Sequence, residues 1–418
     1  MLSMTSRDNN PITQPPPALP LSGVRVLDLS RLIAAPAATQ MLGDLGAEII
    51  KVERPGEGDD ARTYGPSFLQ RDDGQAQLAG FYLAVNRNKK SMTLDFSKPE
   101  GAEIVRALAA KSDILVENYK VGDLARRGLD YESLKLVNPA LVYCSVSGFG
   151  QDGPYAARPG VDSIFQAMSG LMSITGDPNG PPQKVGLPLI DMITGVYAST
   201  AILAALRRRD ATGNGQAIDI SLLDVAIATL GQRAVDYLIT GEVPMRAGNA
   251  STGTAPAQHF LCRDGEVNVQ AGGDRQFGNL CRALGRADLL SDPRFGNRMD
   301  RWRNREALIA ILQAVFAADT VRTWCDRLQP QGVICAPVYD LKQTFEDPQV
   351  IHRGVAMPMQ RSDYPPTRLL RNPIRFSDTP ITDYAFPPTL GEHTEAILSD
   401  LLGYDSDRVA TLRAAGVI

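Results

Sequence analysis

The chain has 418 residues, 44% hydrophobic and 22% charged, which is enough for two domains with separate interiors. A net charge of -4 gives no electrostatic footprint for nucleic acid, and no uninterrupted apolar run approaches the roughly 20 residues that span a bilayer, so a soluble cytoplasmic protein that binds no membrane is expected. Five cysteines, odd in number and without a CxxC pair, and three histidines without HExxH spacing argue against disulfides, structural zinc and metal catalysis.

Residues 1–20 are rich in Pro, Asn, Ser and Thr and carry no basic start followed by an apolar stretch, so they read as a disordered tail. Val24 to Leu29 (VRVLDL) reads as a strand, 34–45 as a helix stopped by Gly46, and 48–52 (EIIKV) as a second strand. This βαβ pattern recurs: a strand at 91–96, a helix from Pro99 to Lys111 capped near Ser97, and strands at 113–118 and 141–149. Residues 163–209 read as two helices, the second from Leu189 to Arg208, followed by a strand at 216–221 and a helix from Leu222 to about residue 240. The segment GEVPMRAGNASTGTAPA at 241–257 is small, polar and punctuated by Gly and Pro, and a domain boundary is expected there. Beyond it the strand GEVNVQA and helices at 275–284, 304–316 and 321–328 make a compact α+β unit, and a final helix in GEHTEAILSDLLGY docks after a proline-rich excursion. The expected architecture is a Rossmann-like α/β large domain formed by 21–245 plus 345–418, with a small α+β domain at 246–344.

The first βα turn, SRLIAAPAAT, contains no glycine, so it lacks the tight pyrophosphate turn of a dinucleotide site. GxxxxGK[ST] and GxSxG are also absent, which leaves carboxylate chemistry. In SVSGFGQDGPYAARPGVDSIFQAMSGLMSITG a strand runs into a glycine-rich loop and Asp162 opens a helix. Taken alone, Asp162 reads as a helix cap. Asp274, before the helix at 275–284, reads the same way.

From about Leu21 onward the chain resembles the class III CoA-transferases, the family that includes formyl-CoA and carnitine CoA-transferases and α-methylacyl-CoA racemase. The resemblance rests on LSGVRVLDLS, LGAEIIKVERPGEGD, NRNKKSMTLD, DILVENYKVG, VYCSVSGFGQDGP, GVDSIFQAMSGLM, GVYASTAILAALRRRDATGNGQAIDISLLD and LGEHTEAIL, eight segments in the family's order. It implies that Asp162 is the nucleophile, that coenzyme A is a substrate with no tightly bound cofactor, and that two chains interlock as a homodimer. The positions that match the family's CoA contacts are Ile33, Arg54, Val85, Asn86, Arg87, Asn88, Asn118, Tyr119, Arg126, Ser147, Gly148 and Phe149. A carboxylate that attacks an acyl-CoA gives a mixed anhydride and free thiolate, and the thiolate's return gives an aspartyl-CoA thioester that an acceptor acid can take up.

Two departures shape the substrate reading. Ile33 stands where formyl-CoA transferases have Gln, and GNASTGTAP replaces their tetraglycine loop, which argues against formyl-CoA and oxalate. The resemblance to members that act on succinate, glutarate or malate makes Lys184 or Arg246 a candidate partner for a second carboxylate. The alternatives are an acyl-CoA racemase or epimerase of the same fold and a non-catalytic CoA-binding protein. A racemase needs a second acid/base, and no His lies between residues 1 and 258.

Overall fold

The computed structural model describes residues 18–74 and 77–418, so the expected tail lies, through residue 17, outside the described residues. The chain divides into two compact units, one from the described part of Met1–Val161 with Leu189–Val225 and Val355–Ile418, the other from Asp162–Pro188 with Ala226–Gly354.

The first unit is built on six strands, β1 (Arg25–Asp28), β2 (Glu48–Glu53), β3 (Lys89–Thr93), β4 (Ile114–Glu117), β5 (Val142–Ser147) and β6 (Gln216–Ser221). They lie side by side as β3-β2-β1-β4-β5-β6, every neighbouring pair parallel. A parallel sheet covered on both faces needs apolar residues on both, and Leu27, Ile50, Leu115 and Val142 are accordingly fully buried. The strand order reverses between β1 and β4, where open α/β sheets leave a crevice beyond the carboxyl ends of their strands. Helix α1 (Ala34–Asp44) follows β1, and α2 (Pro99–Ala109) buries Ile104, Val105 and Leu108 against Leu27, Leu29 and Ile50. The terminal helices Thr394–Leu402 and Ser406–Ala414 add Leu398 and Leu412 to the same core. Each buried Leu stabilises by about 1.5–3 kcal/mol.

Helix α3 (Asp162–Met168) belongs to the second unit, and the chain returns to the first in α4 (Leu189–Thr212). At 24 residues α4 is long and apolar enough to cross a bilayer, four residues longer than the helix expected from Leu189 to Arg208, and Ile190, Ala198, Ile202 and Leu206 are buried within the unit. It packs against α1 at Gly195, where a Cβ would stand 2.9 Å from that of Ala37 and 3.0 Å from the Ala34 carbonyl. Only a glycine lets the two helices approach this closely.

The second unit holds a three-stranded antiparallel sheet of Ile334–Pro337, Glu266–Gln270 and Ala257–Leu261. Val267 and Val269 of its middle strand join Phe260, Phe277, Leu312, Phe316 and Trp324 in one core, with Phe260 stacked on Phe316 at 4.6 Å.

Several expectations are corrected. The units do not divide at 245/246 and 344/345, because 162–188 and 226–245 belong with the second unit, which extends to Gly354. Arg246 is the physical reason: its guanidinium donates to the carbonyls of Asp177 (3.1 Å), Ser173 (3.3 Å) and Gly180 (2.8 Å) and so holds the 173–180 turn. The helix expected from Leu222 to 240 is two, α5 (Leu222–Thr229) and α6 (Gln232–Thr240), broken at Gly231 with φ +51°. Ser97 does not cap α2, since its hydroxyl donates to Asp95 at 2.6 Å and Lys98 holds the cap position. Asp274 follows the cap residue Gly273 and pairs instead with Arg301 at 2.7 Å. The hairpin of Ala356–Arg361 and Tyr364–Leu370 is absent from the sequence reading because its three prolines argue against strands; a two-stranded ribbon tolerates them, both strands being edges.

Candidate active site

The turn after β1 is glycine-free, and Leu32 takes the left-handed conformation itself, with φ +66°. That conformation disfavours a Cβ-bearing residue, and the turn is held from two sides. The Leu32 N–H donates to Asp59 at 3.0 Å. Asn118, just past β4, grips Arg31 reciprocally: its Oδ1 accepts the Arg31 N–H at 3.0 Å and its Nδ2 donates to the Arg31 carbonyl at 2.8 Å. Asn118 therefore ties together the two strand ends that flank the crevice.

Around this clamp the carboxyl edge is cationic and aromatic. Tyr119 stands edge-on to Phe96 at 5.5 Å, with the Arg31 guanidinium 5.3 Å above its ring. Arg31 and Arg54 share Asp60, at 3.3 and 2.8 Å, and Arg54 also meets Glu57 at 3.1 Å. Arg126 is paired with Asp123 and mostly exposed. Such exposed pairs contribute about 0–1 kcal/mol each, so an arriving phosphate can replace the carboxylates at little cost. Arg31 is missing from the sequence candidates, although it is the only cation in the first βα turn.

Beneath the edge, opposite charges alternate in the interior. Lys89 meets Asp28 at 3.1 Å, Lys51 meets Asp59 at 2.7 Å, and Arg62 meets Glu53 at 2.7 Å. Burial pulls Lys51 down, but Asp59, Asp28 and Glu53 more than offset it and carry it up to about 12. Burial wins at Lys89, which falls to about 8 against the pull of Asp28. Three acids facing three bases satisfy the rule that buried charges are paired, and this network props the strained turn through Asp59.

The other sequence candidates divide into two groups. Ser147, Gly148 and Phe149 lie at the carboxyl end of β5, where the Ser147 hydroxyl accepts the Gly150 N–H at 3.0 Å, the Gly148 carbonyl accepts from Leu223 at 3.1 Å, and Phe149 stands edge-on to Tyr155 at 5.6 Å. The run Val85 to Asn88 leads instead into the amino end of β3. Val85 packs with Ile33 and Ala37. The Asn86 side chain donates to the Tyr82 carbonyl at 3.0 Å. Arg87 is buried in an ion pair with Asp44, and Asn88, with φ +61°, donates to the same carboxylate at 2.8 Å. The structure thus gathers Ile33, Arg54, Asn118, Tyr119, Arg126 and the 147–149 run along the carboxyl side, and ties Arg87 and Asn88 to the far end of α1.

Glu117 is a further residue that the sequence analysis does not single out. Its carboxylate accepts the Tyr119 N–H at 2.7 Å, and its pKa is pushed up to about 7, chiefly by burial and further by Asp219 and Asp123. The available signal is an acid at the end of the apolar run DILVEN.

In the second unit Asp162 is the first residue of α3 and is half-buried. One turn on, the buried Gln166 donates to Asp162 Oδ1 at 2.5 Å and accepts the Val185 N–H at 2.9 Å. Two residues from Val185, Gln183 lines a cavity of about 600 Å³ with Thr175, Gly176, Asn249 and His259. There His259 lies between Asn249 at 2.8 Å and Glu266 at 3.7 Å. Of the two candidates for a second carboxylate, Arg246 is engaged with the 173–180 turn, whereas Lys184 is exposed and donates to the Val185 carbonyl at 3.5 Å.

A family model described as CoA-transferase family III matches residues 21–394. The chain is 40% identical over 399 residues to succinyl-CoA:glutarate CoA-transferase of Homo sapiens, covering 96% of this chain and 90% of that protein. It is 41% identical over 382 residues to succinate–glutarate CoA-transferase of Agrobacterium fabrum, covering 91% of this chain and 96% of that one. The crystal structure of a CAIB/BAIF family protein from Brucella suis is similar with a TM-score of 0.84 and 42% identity, over 92% of this chain and 100% of that chain. With eight sequence segments in order and a 3-2-1-4-5-6 parallel sheet, the chain belongs to CoA-transferase family III and is a CoA-transferase.

Proposed function

We propose that the enzyme moves CoA from succinyl-CoA, or another dicarboxylyl-CoA, to a dicarboxylic acceptor such as glutarate, through a mixed anhydride and a CoA thioester on Asp162. The observation that carries this reading is Asp162 itself, a half-buried carboxylate at a helix start with one oxygen held by a buried amide. The substrates named for the human and Agrobacterium relatives support a dicarboxylic donor and acceptor.

In this reading Asp162 attacks the thioester carbonyl and expels CoA thiolate. The thiolate attacks the aspartyl carbonyl and releases the donor acid, leaving aspartyl-CoA. The acceptor carboxylate then repeats the two steps in reverse, and no water enters. Arg31, Arg54 and Arg126 supply charge for the phosphates of CoA, and Tyr119 supplies an aromatic face for its base. Lys184 is the candidate for the acceptor's second carboxylate.

The test is intact-protein mass spectrometry after incubation with succinyl-CoA and trapping with hydroxylamine or borohydride. A modification on Asp162 in wild type, lost in Asp162→Ala together with at least about 10³-fold of activity, is expected, by analogy with the loss of other covalent nucleophiles. No adduct with a panel of acyl-CoAs, combined with deuterium exchange at the substrate α-carbon, would point to the racemase branch instead.

A further inference from the structure

Gln166 lies four residues after Asp162, on the same face of α3, and is fully buried. Its Oε1 accepts the Val185 N–H at 2.9 Å, and its Nε2 donates to Asp162 Oδ1 at 2.5 Å and to the Leu187 carbonyl at 3.4 Å. A backbone N–H can only donate and a carbonyl can only accept, so Val185 and Leu187 together fix which end of the amide is oxygen. The NH₂ end therefore faces Asp162 by necessity. An NH₂ group only donates, so the oxygen it faces remains an acceptor.

We propose that Gln166 is a further catalytic residue, which keeps a hydrogen-bond donor on Asp162 Oδ1 throughout the reaction and stabilises the oxyanion each time the aspartyl carbonyl is attacked. The proposal rests on the aspartyl mechanism set out above. The bond to substrate is formed by the other carboxylate oxygen. When CoA thiolate attacks Cγ of the mixed anhydride, the carbonyl electron pair moves onto Oδ1. Collapse restores the Cγ–Oδ1 double bond and expels the donor acid, which carries away the bridging oxygen. When the acceptor carboxylate attacks Cγ of aspartyl-CoA, the pair again moves onto Oδ1, and collapse expels CoA thiolate. Both additions place negative charge on the atom that Gln166 already contacts, and neither needs a reorganised donor.

The experiment compares wild type, Gln166→Leu and Gln166→Glu in the full-length enzyme. Each is loaded with succinyl-CoA, freed of excess, and mixed with glutarate while the decay of aspartyl-CoA is followed by quenched mass spectrometry. Gln166→Leu is expected to slow that decay, and kcat, by about 10²–10³-fold with KM little changed, the usual effect of removing one oxyanion donor. Gln166→Glu has the same shape and retains an acceptor for Val185, so it separates chemistry from folding. With Asp162 thioesterified, the substituted carboxyl can donate only when protonated. The decay rate of Gln166→Glu should therefore fall as pH rises through the titration of the new carboxyl, a dependence that the amide of the wild type, which does not titrate, cannot produce. Decay in Gln166→Glu that keeps the wild-type rate and pH profile would overturn the proposal, as would a loss confined to KM. Absence of any adduct in wild type would overturn the aspartyl mechanism instead, so the two failures are distinguishable.

Discussion

Glu117 sits at the end of β4 with its carboxylate on the Tyr119 amide, and burial carries its pKa from 4.5 up to about 7. A carboxyl with a raised folded-state pKa binds more protons folded than unfolded between those two values, so stability falls as pH rises through that window and the cost is constant above it. Each pKa unit corresponds to about 1.4 kcal/mol, which puts the full cost at roughly 3 kcal/mol. Glu117→Gln keeps an oxygen for the Tyr119 N–H and removes the charge. It should be more stable than wild type by about 1–3 kcal/mol near pH 8 and indistinguishable from it near pH 4.5. Urea titrations at the two pH values check this, and an equal difference at both would show that Glu117 does not titrate in the window. Asn118 and Tyr119 follow directly, so the same variant should alter KM for acyl-CoA less at low pH than at high pH.

Where local pattern decides an element, the sequence places it closely. The strand at 216–221 and the helix at 321–328 fall where expected, and α1 and β2 end within a residue or so. Where a distant partner decides, it does not. β3 begins at Lys89, two residues before the apolar run, because Asp28 on another strand neutralises that lysine inside the core. Arg87 stands in the sequence as a match to a family CoA contact, and no local pattern signals its buried partner Asp44. Asp162 becomes a candidate nucleophile only through family resemblance, since an Asp at a helix start is ordinarily a cap.

Arg301 shows the same limit: an unremarkable arginine in RMDRWR is only 1% exposed. It pairs with Asp274 and donates to the carbonyls of Gly272 at 2.8 Å, Ala255 at 3.2 Å and Phe295 at 3.3 Å, joining the helix Arg298–Arg303 to three other segments of the second unit. Arg301→Met fills the space but leaves three carbonyls without this donor, at an expected cost of about 2–4 kcal/mol. Arg301→Lys should recover little, because an ammonium cannot fan out as a guanidinium does. Hydrogen exchange should show lost protection in 257–337 while β1 to β6 keep theirs. Equal loss in both units would mean that Arg301 holds more than its own unit.

At the scale of the whole molecule, α6 presents an unsolved burial problem. None of its residues is buried, and Val235, Leu238 and Ile239 form an i, i+3, i+4 apolar stripe, the last two 78% and 77% exposed. Val243 and Met245, just past the end of the helix, are each 71% exposed as well. A nine-residue helix is marginal in water without packing, and an exposed apolar face of this kind marks an interaction surface. The occupant we propose is a second copy of the chain, in the homodimer that the family resemblance implies. Light scattering after gel filtration should therefore give twice the chain mass. Leu238→Asp with Ile239→Asp should give a monomer, or a mixture that shifts toward monomer on dilution. Unfolding of the double variant should depend less on protein concentration than that of wild type, because dimerisation adds stability by mass action. A wild-type chain that runs as a monomer at micromolar concentration would leave α6 requiring a different partner, and activity that persists under those conditions would show that one chain carries a complete site.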